Sequence, residues 1–159
     1  MKPPRLYLET SLWNFCFADD APEKMEVTLR FLEKVRRGAY LVFISDVVLE
    51  EIGRANEPKR AKLLAIIDEI QPELLELDEE ITALAERYIV EGVIPQAKFE
   101  DAMHAAVATV FEMDALISWN LKHLANFRRM EMINGINLKH GYGKRLELIT
   151  PMEVSDEEL

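Results

Sequence analysis

Glu9, Glu51, Asp101 and Asn120 are the residues of this chain whose types and positions suggest chemistry. Three are carboxylic acids. Each stands just after a strand-like run, or on a helix that would pack beside one. Like charges gather only where something neutralises them. A divalent cation on oxygen ligands is the usual answer, and it points to phosphodiester chemistry. The four residues are far apart in sequence, so a fold must bring them together.

Each position also has a plainer reading. Glu9, in Leu8-Glu9-Thr10-Ser11, fits an exposed loop residue with Thr10 or Ser11 as a helix cap. Ser11 is placed to hydrogen-bond a carboxylate or a bound water. Glu50 and Glu51 fall within about two helical turns of the preceding strand. Either one of them points back over the sheet edge, or both are solvated. Around Asp101, residues Phe99, Ala102, Met103, Ala106, Val107 and Val110 form one apolar stripe of a helix, opposite Asp101, His104, Ala105 and Ala108. A helix apolar or small nearly all round is expected to be buried, and a buried Asp needs a partner. That partner is a cation, the His104 side chain one turn on, or a backbone amide. Asn120 offers an amide oxygen to a metal or a water, and it can also cap a helix from Leu121 onward. Lys122 and His123 come next, suited to phosphate or simply solvated.

The elements that must position these residues alternate between strand and helix. Strands are expected at 5–8, 40–44, 115–118 and 145–149, with a short edge strand at 73–77. Helices are expected at 23–37 (stopped by Gly38), after Ser45 as a cap, at 58–70, at 79–90 after Asp78, at 98–112 and at 121–132. Apolar strands separated by helices imply an α/β fold with a parallel sheet covered on both faces. Ligands of such sheets bind beyond the carboxyl ends of the strands. That rule gathers Glu9, Asn120 and the helix-borne acids at one edge.

Composition narrows the function classes. The chain has 159 residues, 49% of them hydrophobic and 30% charged, which suits one globular domain with a full core. A single domain over 1–151 with an acidic tail over 152–159 is expected. No run is long and apolar enough for a membrane span. The opening Met1-Lys2-Pro3-Pro4-Arg5 lacks a secretory apolar stretch, and Cys16 is the only cysteine; a reducing cytoplasm fits both. Cys16 reads as a small buried apolar group. The net charge of −10 argues against broad non-specific nucleic-acid binding, but not against an acidic active site with a basic rim. The three histidines lack zinc-motif spacing. No phosphate loop, dinucleotide fingerprint or nucleophile elbow occurs.

The segments Glu9-Thr10-Ser11, Ser45 to Ile52, Asp101-Ala102-Met103-His104-Ala105-Ala106 and Ser118-Trp119-Asn120-Leu121-Lys122-His123, taken in this order, resemble the PIN-domain family, which includes the VapC-type toxin ribonucleases. Gly141-Tyr142 followed by a last strand and Thr150-Pro151 is similar to one subgroup. The resemblance implies a three-layer sandwich with about five parallel strands. It implies a ribonuclease dependent on Mg2+ or Mn2+, acting on RNA, associating as a homodimer and partnered by an antitoxin protein. Residue by residue, Glu9 stands at the family's first Asp, Glu51 at the second acid, Asp101 at the third, and Asn120 where many members have a fourth Asp. Glu9, Asp101 and Glu51 would then hold the metal, while Ser11, Lys122 and His123 would meet the substrate. Two departures stand out. Glu9 is longer than Asp by one methylene, about 1.5 Å, and Asn120 removes one charge. They motivate an alternative, a catalytically weak or inactive module that binds RNA or a protein partner. A phosphatase with Glu9 as nucleophile ranks below both, because Ser11 occupies the place of its second acid.

Overall fold

The computed structural model describes residues 2–155. Its five strands are β1 (Arg5–Leu8), β2 (Leu41–Ser45), β3 (Glu73–Leu75), β4 (Ala115–Ile117) and β5 (Glu147–Ile149). They form one sheet in the order β3-β2-β1-β4-β5, and every pairing is parallel. The helices are α1 (Thr10–Phe15), α2 (Pro22–Arg36), α3 (Asp46–Gly53), α4 (Lys59–Ile70), α5 (Glu79–Val90), α6 (Phe99–Val110), α7 (Phe127–Lys139) and α8 (Pro151–Ser155). Successive strand residues point to opposite faces. Tyr7 and Leu8 are both 0% exposed, so helices cover the sheet on both sides. The expected α/β sandwich is the observed one.

The chain leaves β1 first toward β2 and β3, then returns past it to β4 and β5. The order therefore reverses at β1, and a crevice opens beyond the carboxyl ends of β1 and β4 at this switch point. Glu9 is the first residue after β1. Local chemistry sets the helix starts. Ser45 accepts from the Val47 N–H at 3.2 Å, and Asp78 accepts from the Ile81 N–H at 2.9 Å. Gly92, at φ +74°, ends the helix before it. From Ala102 to Thr109, α6 is buried at every position, as its composition implies.

Three elements differ from the sequence expectation. The six-residue helix α1 starts at Thr10 and is capped not by Thr10 or Ser11 but by Glu9, whose side chain accepts the Ser11 N–H at 3.2 Å. The helix expected over 121–132 starts later and runs to Lys139. Asn120 Oδ1 accepts the His123 N–H and closes only a turn. Asn126, in extended conformation, caps α7 through the Arg129 N–H. Two asparagines compete for one helix start, and the second wins. Residues 152–155 of the expected acidic tail belong to α8, which packs on α2 with Val154 buried. Residues 156–159 lie outside the described residues.

Buried polar groups lock the later half of the chain. Asn134 on α7 donates to the carbonyls of Met130 and Leu146 at 2.9 and 2.8 Å and accepts the Leu146 N–H at 2.8 Å. It thereby ties the approach to β5 against α7. Asn134→Ala strands a buried N–H and C=O, each worth about 1–3 kcal/mol when unpaired. The variant is expected to lose roughly 2–4 kcal/mol in urea denaturation; a loss within error of zero would show that Leu146 is held by other means.

Candidate active site

Glu9 is not an exposed loop residue: it is 4% exposed, at the end of the central strand. Its Oε1 accepts from the hydroxyls of Ser11 and Ser118 at 2.6 and 2.5 Å. Each hydroxyl is itself fixed. Ser11 Oγ accepts the Trp119 N–H, and Ser118 Oγ accepts the Asn120 N–H, both at 2.8 Å. The turn after β4 thus grips the carboxylate that follows β1. Ser11, read from sequence as a substrate contact, has its hydroxyl committed to Glu9 and Trp119.

Of the pair on α3, Glu50 is solvated and Glu51 points back over the sheet. Glu51 Oε1 accepts from Thr10 Oγ1 at 2.7 Å and meets His104 Nε2 at 2.5 Å. His104 is 0% exposed. Its Nδ1 lies 2.7 Å from the Tyr7 hydroxyl, which lies 2.7 Å from Ser45 Oγ. A buried chain therefore runs Ser45–Tyr7–His104–Glu51 across strands β1 and β2 and helices α3 and α6. Burial disfavours the charged imidazole. The bond to Glu51 and the charges of Glu9, Glu51 and Asp101 outweigh burial and raise the His104 pKa. Burial likewise opposes ionisation of Glu51, but the same bond, the His104 charge, Thr10 and Arg54 lower its pKa. The partner of His104 is Glu51, not Asp101 one turn away.

Asp101 faces the same space. Burial first, then the Glu9 charge, raises its pKa, and the Asn120 side chain, hydrogen-bonded to it, opposes the shift. Glu51, Asp101, Asn120, Lys98, Lys122 and His123 line a cavity of about 460 Å³. Lys98 and Lys122 are exposed at its rim, whereas His123 is buried, with its Nδ1 unpartnered. Burial and the nearby Arg129, Lys122 and Lys98 charges lower the His123 pKa. Cys16 lies apart from this site, and burial pushes its thiol up to about 12, which rules out a ready thiolate.

The donor set fits a hard divalent cation. One ligand atom each from Glu9, Glu51 and His104 lie within 4.8 Å of one another, and Asp101 adds carboxylate charge beside them. Sequence reasoning passed over Tyr7, Thr10, Ser118 and the true role of His104. A tyrosine in an otherwise aliphatic central strand was the available signal, since its buried hydroxyl requires a partner.

No family model matches the sequence, and no curated protein resembles it closely enough to count. Solved structures do resemble its fold. The VapBC2 complex of Rickettsia felis, bound to a DNA fragment from its promoter, contains a chain that superposes with a TM-score of 0.52 at 19% identity, over 74% of this chain and 89% of that one. VapC20 of Mycobacterium tuberculosis, a sarcin–ricin loop cleaving toxin, gives 0.53 at 15% identity, over 74% and 92%. The chain therefore shares the overall fold of these VapC structures.

Two outcomes follow from the buried groups. Tyr7→Phe leaves His104 Nδ1 and Ser45 Oγ without their shared partner, and is expected to lower stability by about 1–3 kcal/mol; an unchanged urea midpoint would show the chain to be dispensable. Asp101, with its folded pKa raised, contributes stability that is fully present below the unfolded carboxylate range near pH 4 and is lost as pH rises through the folded value. Asp101→Asn is therefore expected to raise the melting temperature of the metal-free protein at pH 7, with the gain shrinking toward pH 4. A lower melting temperature at pH 7 would contradict the placement of Asp101.

Proposed function

We propose that this protein is a metal-dependent endoribonuclease that hydrolyses RNA phosphodiester bonds as the toxin half of a toxin–antitoxin pair. One observation carries the reading: Glu9 and Glu51 meet His104 at the switch point of a VapC-like fold, close enough to Asp101 to raise its pKa, beside a cavity rimmed by Lys98 and Lys122. Glu9, Glu51 and Asp101 would hold Mg2+ or Mn2+. The ion supplies Lewis acidity, which eases water deprotonation and offsets phosphate charge.

The chain's own groups divide the remaining work. Glu9 is fixed by two serines, and Glu51 by Thr10 and His104. Asp101 is the least constrained acid, and its raised pKa suits it to take the proton of the attacking water. Asn120 orients Asp101. Lys122 and His123, with Lys98 beside them, would steady the phosphate as its P–O bond breaks. The longer Glu9 is accommodated by the hydroxyls of Ser11 and Ser118, which reach its Oε1. The VapBC2 complex is a two-protein assembly by its description; an antitoxin partner is proposed on that likeness, and a homodimeric state on the resemblance of the sequence motifs.

RNA cleavage in Mn2+, measured on a labelled oligonucleotide, tests the reading. Asp101→Asn is expected to lose at least about a hundredfold in rate, the scale of a missing general base. Glu9→Asp would pull the carboxylate about 1.5 Å from its two serines, and should weaken Mn2+ binding rather than improve cleavage. Cleavage that survives in Asp101→Asn, or that persists in EDTA, would sink the proposal.

A further inference from the structure

On a surface of net charge −10, several arginines are already paired. Arg36, Arg54, Arg60 and Arg145 each pair with a glutamate. Lys24, Lys59 and Lys62 are different: none has an ion-pair partner among the described residues, although Arg60, between the last two, is paired with Glu57. The three lysines line a second cleft, of about 470 Å³, between the end of α1 and the starts of α2 and α4. Phe15 and Phe17 share its wall, and Asp20 is its only acid. Phe17 is 36% exposed.

This cleft is joined to the acids. Glu9 and Thr10 stand at the start of α1 and the cleft at its end, about 9 Å along a six-residue helix. Lys24 Nζ lies over the rings of Phe15 and Trp119, at 5.5 and 5.4 Å. Trp119 in turn donates its backbone N–H to Ser11 Oγ, which holds Glu9. Ammonium groups beside aromatic faces suit a single-stranded nucleic acid, whose phosphates and bases alternate. An acidic peptide would use the lysines but has no equivalent need of the rings.

We propose that this cleft is the binding subsite for single-stranded RNA on one side of the scissile phosphate. Lys59 and Lys62 take backbone phosphates, Phe17 stacks a base, and Lys24 lies against Trp119. The proposal rests on the ribonuclease reading and extends it from the reacting phosphate to its neighbours.

The test is fluorescence anisotropy of a labelled single-stranded RNA against the full chain in EDTA, over a range of salt. Each phosphate contact on a single strand contributes about 0.7 to the slope of log affinity against log salt. Lys59→Ala combined with Lys62→Ala is expected to reduce that slope by about 1.4 and to weaken low-salt binding by about tenfold or more. Lys59→Arg with Lys62→Arg should keep the slope. Phe17→Ala should weaken binding several-fold without changing it. Arg37→Ala, at the far end of α2, should alter neither quantity. An unchanged slope in the double alanine variant, or an equal loss in Arg37→Ala, overturns the proposal, as does an acidic peptide that competes while RNA does not bind. The two readings fail separately. Normal Mn2+-dependent cleavage by wild type with an unchanged slope removes the cleft alone. Lysine-dependent RNA binding with no cleavage supports the cleft and removes the ribonuclease.

Discussion

Bringing Glu9, Glu51 and Asp101 to the end of the central strand sets like charges against one another in a half-dry crevice, and much of the surrounding structure answers that repulsion. Ser11 and Ser118 give Glu9 two hydroxyls, each anchored by a backbone N–H of the turn after β4. Thr10 and His104 take Glu51. Asn120 takes Asp101. The polar groups are not decoration on a finished fold. They join β1, α1, α3, α6 and β4, so the same bonds that quiet the acids also fix the elements that carry them.

The acids are held unequally. Glu51 has its pKa lowered by its partners, whereas Asp101 has its pKa raised by burial and by Glu9. Carboxylates pushed in opposite directions within one crevice are suited to different duties, one as a fixed charge and the other as a proton acceptor. His104 is the internal hydrogen-bond partner of Glu51. Its imidazole is buried beside the acids and linked through Tyr7 to the start of α3.

Much of this was legible in the sequence, and the reasons differ by residue. The parallel sheet followed from apolar strands separated by capped helices, and the position of Glu9 and Asn120 at strand ends followed from the same pattern. Glu51 was separated from Glu50 only by the resemblance, because two adjacent glutamates carry no periodic signal that chooses between them. The role of His104 was hidden. Helical spacing brings it close to Asp101, but its bonds run to Tyr7 and Glu51, on elements distant in sequence. The start of α7 was also missed, since Asn120 and Asn126 are equally good caps locally and only the packing of the turn between them decides. Capping by a glutamate is uncommon, and so Thr10 or Ser11 read as the cap of α1 in place of Glu9.

The account stands on an ion belonging among these oxygens. Diffraction at the manganese edge from crystals soaked in Mn2+ measures this directly. The account predicts an anomalous peak bounded by the carboxylates of Glu9, Glu51 and Asp101. An empty crevice at saturating Mn2+, or a peak elsewhere on the surface with Glu51 still closed on His104, would contradict it.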